Sequence, residues 1–451
     1  MSLSQTRRIS AIDEAGLLDR ASALLQVALE QGADEAQVIS RGVEETKVRY
    51  EKNDFTCTST NGKLTLSLKV YKNGKKGTAT TNELGVDALA DTARRALSLA
   101  SFSIEDEHLS LPENGITTEV PGRYDSSLAE LGTDDLHALA AEFIAAASAD
   151  PRISLDGGQV EVTKYCEALV NSNGMSRTDA VTRLDWTVMG LGKTETETTS
   201  FDYLSDSTWS LAGATEKAKE TAAKLVSNIL QSFGPRSCES YKGHIVLSPA
   251  VVADMFLGPI SYHVSGSSLM DGKSRWEASL GELVASPSFT LVDSAHNVKL
   301  MGATPYDAEG VATKPTVIIE DGVLRAHLDS TYTASRRGTS STGHCGGMHT
   351  IEITGGDSTR EELLQSVDQA ILVERFSGNV DPLTGDFSGF AKGSHFYKNG
   401  RHQHPLTETM IAGNVFDLLK DIHGISKDPK PHCGRFIAPW ILVGGVSVTG
   451  A

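Results

Sequence analysis

The stretch KLTLSLKVYKNGKKGTATT, residues 63–81, decides how the first half of the chain is read. Leu64, Leu66, Leu68 and Val70 alternate with polar neighbours, the period-two pattern of a strand with one buried face. Asn73-Gly74 follows, two residues that tolerate positive φ and so signal a tight hairpin. Upstream, Leu17, Leu18, Ala21, Leu24, Leu25, Ala28 and Leu29 recur at helical spacing, and Gly32 stands where a C-terminal cap belongs. Downstream the pattern predicts a helix over 86–101, a proline-bearing loop over 105–125, and a third helix, TDDLHALAAEFIAAASA, capped by Thr133 or Asp134. Strands return from 158 to 206, turning at NSNG (171–174). Ala218, Ala222, Leu225 and Ile229 then mark one face of a long helix that ends at Phe233-Gly234-Pro235.

Pro235 cannot continue a helix, and the composition shifts after it toward Gly, Val, Thr and Ser. The boundary is therefore expected there, with an N-terminal α+β domain over 1–235 and a C-terminal β-rich domain over 236–451. The fold class is α+β: an antiparallel sheet with flanking helices, then a β-rich sandwich or barrel-like domain. Short helices are expected near 249–257, 359–369 and 414–422. No short-period repeat stands out.

The balance of charge excludes some functions. A formal charge of −17 repels phosphate backbones, and basic residues occur only as pairs such as Arg7–Arg8, Lys75–Lys76 and Arg336–Arg337, so nucleic acid is not expected as a partner. Arg336 and Arg337 read as surface charges. No apolar run reaches the roughly 18–20 residues of a membrane span, and the opening MSLSQTRRIS lacks a signal-peptide apolar region. Five scattered cysteines without a Cys-x-x-Cys pair suit a reducing compartment, so the expectation is cytoplasmic.

Three familiar chemistries lack their residues. Gly192-Lys193-Thr194 resembles the end of a phosphate loop, yet position 187 is Thr187 where the first glycine belongs, and strand-like alternation follows instead of a helix. No G-x-S-x-G elbow occurs. None of the thirteen histidines is followed by glutamate, so the helical His-Glu pair of zinc hydrolases has no counterpart.

SSTGHCGGMHT, residues 340–350, brings His344, Cys345 and His349 together. They are metal candidates, but their spacing and the glycines at 343, 346 and 347 fit a tight turn better than a ligand helix. Ser341, Thr342 and Gly343 are candidates for peptide contact, since loops rich in Ser, Thr and Gly gather binding residues. DPLTGDFSGF, residues 381–390, offers Asp381, Thr384 and Asp386 as oxygen ligands, yet its spacing does not match a calcium loop. A turn made by Pro382 and Gly385 is the favoured reading. Asp386 and Ser388 join the peptide-binding candidates.

Taken in order, QGADEAQV (31–38), NSNG (171–174), SRRGTSSTGHCGG (335–347), VDPLTGDFSGF (380–390), TETMIAGNVFDLL (407–419) and the closing PWILVGGVSVTG resemble the TldD/PmbA family, and STGHCGG, TGDFSGF and IAGN resemble its PmbA (TldE) branch. That resemblance implies a zinc metallopeptidase system, once labelled a modulator of DNA gyrase, that degrades or matures unfolded peptides taken up as extended strands. A TldD-type subunit carries zinc on a His-Glu-x-x-x-His helix with a downstream cysteine; a PmbA-type subunit pairs with it and carries none. The zinc helix falls here on ADMFLGPISYHVSGSSLM (253–270), which has His263 alone, and the cysteine falls near DIHGISKD (421–428), which has only His423. The expectation is a chain with no catalytic residue or cofactor of its own. Its partners are a TldD-type subunit that holds the zinc, or a second copy, and unfolded peptides. Two alternatives remain: a stand-alone homo-oligomeric peptide-binding protein, and an atypical metallopeptidase using His344, Cys345 and His349.

Overall fold

The computed structural model describes residues 14–52, 54–407, 409–432, 434 and 436–450. Helix α1 (Glu14–Glu30) leads into β1 (Glu35–Glu51), β2 (Asp54–Lys72), β3 (Lys75–Thr81) and α2 (Val86–Phe102). The one-turn α3 (Ser126–Ala129) precedes α4 (Thr133–Ala147), β4 (Ile153–Asn171), β5 (Ser176–Gly192), β6 (Asp202–Thr208) and α5 (Ala214–Gln231). The six strands form one antiparallel sheet in the order β3-β2-β1-β4-β5-β6. This order reads alike from either edge, so a helix–three strands–helix unit occurs twice about the central β1–β4 pair. At its middle Glu44 opposes Lys164 in a 2.9 Å ion pair.

Strand periodicity explains the sheet's two faces. Even-numbered positions point one way. Ala36, Val38, Leu66, Leu68 and Val70 pack under α1 and α2, while Val48, Tyr50, Val160, Val162, Leu184, Trp186 and Val188 pack under α4 and α5. Asn73 and Gly74 take φ of 50° and 66° in the β2–β3 turn, as the Asn-Gly signal predicts. The other face is polar, with Arg41–Glu167 at 2.5 Å and Lys47–Glu161 at 2.6 Å. It meets the second half of the chain: Gln37 donates to the Glu309 carbonyl, and Gly310 leaves no room for a Cβ against Met175 and Leu169.

The second half begins with β7 (Tyr241–Leu247), α6 (Pro249–Val264), α7 (Gly266–Met270), β8 (Leu291–Asp293), β9 (Thr316–Glu320), β10 (Val323–Leu324), α8 (Thr331–Arg337) and β11 (Ile351–Ile353). It continues through α9 (Arg360–Gln365), β12 (Gln369–Val373), β13 (Arg375–Val380), β14 (Asp386–Lys392), β15 (His395–Lys398), β16 (Arg401–Pro405) and β17 (Met410–Asn414). It closes with α10 (Val415–Lys420), β18 (Ile422–Ile425), β19 (Lys430–His432), β20 (Phe436–Ala438) and β21 (Ile441–Thr449). A nine-stranded sheet runs β13-β14-β17-β21-β7-β12-β15-β16, with β18 added on β21, and curls into a half-barrel. A smaller sheet runs β10-β9-β8-β11-β20-β19. The fold is α+β, as the sequence predicts.

Helix α6 fills the half-barrel. Val251, Val252, Met255, Phe256, Ile260 and Val264 are fully buried and share one core with β7, β8, β9 and β21. Ser248 caps the helix by accepting from the Val251 N–H at 3.2 Å. The sequence pattern ends this helix near 257, before Pro259, whereas the structure carries it to Val264. Pro259 removes one backbone bond, but burial of Ile260 and Val264 outweighs that loss. One further expectation needs correction. Helix α4 is capped by Gly132, not Thr133 or Asp134, with Asp135 reaching back to the Gly132 N–H at 2.9 Å. Strand β5 ends at Gly192, as the strand-end reading requires, and residues 194–197 form a turn where Thr and Glu alternate like a strand.

Candidate functional site

A cleft of about 550 Å³ opens between α6 and the glycine loop, with Tyr262, Ser265, Ser267, Ser330, His344 and Gly347 among its walls. Its chemistry is that of hydroxyls and backbone amides rather than of charge.

His263 lies on the buried side of α6, at 1% exposure. Its Nδ1 accepts the Arg275 N–H at 3.0 Å, so the proton sits on Nε2, which donates to the Leu383 carbonyl at 2.9 Å. Burial lowers its pKa below the ordinary histidine value, which keeps the ring neutral. Both nitrogens are committed, and the ring braces the 381–385 turn against α6.

The glycine loop is pinned by three buried carboxylates. Asp329 receives the Arg337 guanidinium at 2.6 Å and the Thr339 hydroxyl at 3.1 Å, and its carbonyl accepts the Thr342 N–H at 3.0 Å. Asp307 accepts the Cys345 N–H at 2.8 Å. Asp293 accepts the His349 N–H at 2.7 Å and the Thr350 N–H at 2.9 Å. Gly343 adopts φ of +75°, and a Cβ there would lie 2.4 Å from the Ala312 carbonyl, so only glycine passes.

The loop therefore sorts its own candidates. Ser341 and Thr342 turn their hydroxyls onto the Asp329 carbonyl at 3.3 and 3.2 Å, which makes them struts of the loop. Arg337, read from sequence as a surface charge, is largely buried against Asp329 and His327. Arg336 is exposed and lies 3.7 Å from Asp106. Cys345 lines the cleft, but burial, with Glu309 and Asp307 nearby, pushes its thiol up to about 12. A thiol held protonated is neither a nucleophile nor a ready metal ligand at neutral pH.

His344 and His349 do come together, with Asp293 instead of Cys345 as the third member. One donor atom from each lies within 4.8 Å of the others, and among the described residues no other such group of three is found. Asp293 lies 56 positions from His349, so no local spacing rule could have found it. His423 lies elsewhere, 2.9 Å from Asp421 and edge-on to His244. His432 lines a separate cavity of about 290 Å³ with Asp254 and Glu374, whose carboxyls burial raises above their usual range. Cys433 lies outside the described residues.

Asp386 and Ser388 sit on β14, which is paired on both sides by β13 and β17. Asp386 receives the Asn414 amide at 2.8 Å, and Asp381 closes the turn by accepting the Leu383 N–H at 2.8 Å. Those bonds support the turn reading of DPLTGDFSGF. The sheet ends on β13 at one edge and β16 at the other, and Ser377, Gly378 and Asn379 of β13 are exposed.

An antiparallel sheet of two like halves, joined to a half-barrel wrapped on one buried helix, is the architecture to compare with known proteins. Residues 36–100 match the PmbA/TldA metallopeptidase domain 1, 126–229 the central domain, and 240–450 the C-terminal domain. The chain belongs to the PmbA/TldD family. It is 27% identical over 391 residues to metalloprotease PmbA of Escherichia coli, covering 84% of this chain and 85% of that one. In structure it resembles TldE of Thermococcus kodakarensis, with TM-score 0.86 and 22% identity over 96% of this chain and 100% of that one. It also resembles a Thermotoga maritima protein bearing the DNA-gyrase-modulator label, with TM-score 0.86 and 23% identity over 96% and 99% of the two chains. Among the described residues no helix is long and apolar enough to cross a membrane.

The metalloprotease name implies a metal, and the residues present can be tested against one. The α6 wall does not fit a hydrolytic zinc: its one histidine spends both nitrogens on the backbone, and no carboxylate stands beside it as general base. Asp254, at the other end of α6, lines the separate cavity and not the cleft.

Proposed function

We propose that this chain is a PmbA-type subunit of a TldD/TldE-like peptidase system, non-hydrolytic by itself, that binds unfolded peptide and pairs with a TldD-type zinc subunit. The observation that carries this reading is the double engagement of His263, because the resemblance places the family's zinc helix on that segment. The open edge of β13 supports the peptide part. An extended segment can add there through backbone N–H and C=O groups, which every sequence offers, and this suits broad specificity. The edge runs into the turn whose Pro382 reaches the cleft, so a peptide on β13 would be led toward it. The division at residue 235 belongs to the same proposal, with the first half serving assembly and the second serving peptide.

The test is to isolate the chain from its native host and identify what comes with it by mass spectrometry, then assay the isolated chain on unfolded casein. Recovery with a TldD-type zinc protein, and no chelator-sensitive cleavage by the isolated chain, is the expected result. Robust chelator-sensitive cleavage by the isolated chain would overturn it.

A further inference from the structure

Several polar atoms in and around the loop are buried without a hydrogen bond, Thr350 Oγ1 and Asp329 Oδ1 among them, but His344 is the one that sets a ring nitrogen beside a carboxylate. Its side chain is 0% exposed, as is that of Asp293. Nδ1 lies 2.9 Å from the Thr342 carbonyl, which can only accept, and 3.0 Å from the Thr342 hydroxyl, whose own proton goes to the Asp329 carbonyl, so Nδ1 carries a proton. Nε2 then presents its lone pair 3.3 Å from the Asp293 carboxylate, a lone pair against an anion, and makes no hydrogen bond. Such a buried, unpartnered atom costs free energy unless something positive lies beside it. The third member, His349, brings its ring to a centroid distance of 5.3 Å from His344. Its Nε2 donates to the Gly343 carbonyl at 2.8 Å, which leaves Nδ1 as the nitrogen able to meet an ion.

We infer that Asp293, His344 and His349 hold a divalent transition-metal ion of the zinc class, under the floor of the cleft. Two imidazoles and one carboxylate are a donor set that suits zinc, cobalt or nickel. The supporting bonds are those expected around a metal: each histidine gives its remaining N–H to a backbone carbonyl, and the carboxylate is fixed by two backbone amides. The ion ties the glycine loop to β8. With two of its three ligands sealed from solvent, it braces the cleft wall and does not meet peptide. This inference does not rest on the partner or the peptide proposed above.

The test is direct titration of the chelator-stripped full chain with ZnCl2 and with CoCl2. One equivalent should bind with micromolar affinity or better, the cobalt form should show visible d–d absorption, and Tm should rise by several degrees on zinc addition. His349→Gln, at the half-buried member, should weaken binding at least 100-fold while still folding; His344→Ala should abolish it. Absence of saturable binding by the unaltered chain would overturn the inference. Binding unchanged in His349→Gln and His344→Ala would also overturn it, by placing the metal elsewhere. Stoichiometric metal with casein cleavage lost in His344→Ala would keep the site but overturn both its bracing role and the non-hydrolytic reading of the chain.

Discussion

The first sheet and the glycine loop are held by opposite means. In the sheet, strands of 17 and 19 residues repeat one local pattern, and each apolar side chain packs on neighbours that obey the same period. In the loop, residues 339–350 have almost no regular structure, and three buried aspartates from distant segments hold their amides and hydroxyls. Apolar burial is forgiving because contact area is shared among many residues. A buried carboxylate is not, because each N–H it leaves behind has no other acceptor. The sheet is thus a tolerant platform and the loop a brittle one, and the cleft is built on the brittle part.

Paired substitutions would sharpen this contrast. Asp293→Ala leaves the His349 and Thr350 amides buried without their acceptor and should cost about 3–5 kcal/mol. Trp186→Ala, at a residue 1% exposed under α5, should cost a similar 3–5 kcal/mol through the cavity it leaves. Denaturant unfolding measures both. The two should part company in hydrogen exchange: Asp293→Ala should free the amides of His349 and Thr350, and Trp186→Ala should leave them protected. Equal protection in both variants would break the comparison.

The same contrast governs what the sequence discloses. Leu66, Leu68, Val70 and the Asn73-Gly74 turn give strand, face and hairpin because the interactions that decide them lie within a few residues. SSTGHCGG announces a turn and two histidines, but Asp293, Asp307 and Asp329 lie 8 to 57 residues from their partners and follow no period. His344 and His349 do meet in space, and the group beside them is Asp293 rather than Cys345. Helix α8 was missed because TYTASRR has too few apolar residues to show a helical face; its capping pair of Ser330 and Thr333 was the available signal.

Acid should separate the halves next. Eleven of the thirteen histidines lie beyond residue 240. Burial lowers the pKa of His263, His327, His402 and His432, and takes His395, buried beside His402, to about 4. The unfolded chain then binds protons that the folded chain refuses, so stability is lost as pH falls from 6.5 toward 4. His395 alone accounts for at most about 3 kcal/mol of that loss. The first half instead carries carboxylates with lowered pKa, such as Asp34 and Asp125, whose contribution disappears only below the ordinary aspartate range. Hydrogen exchange at pH 5 should show the half-barrel loosening first, and His395→Gln should flatten its pH dependence. Loosening of the first sheet at the higher pH would contradict this order.

The smallest effect probes the loop with a reagent rather than a substitution. A thiol at about 12 is ionised in about one molecule in ten thousand at pH 8, so Cys345 should alkylate far more slowly than exposed Cys57. The cause is specific: burial first, then Glu309 and Asp307, with Lys69 opposing them from the first sheet. Lys69→Met should slow Cys345 further by removing a nearby cation, although it lies in the first sheet. Peptide mapping after iodoacetamide at pH 8 reads both cysteines in one sample, with Cys57 as the internal reference. Rapid Cys345 alkylation in the folded chain would mean that Asp307 does not hold the loop, because a loop so released would expose its thiol to water.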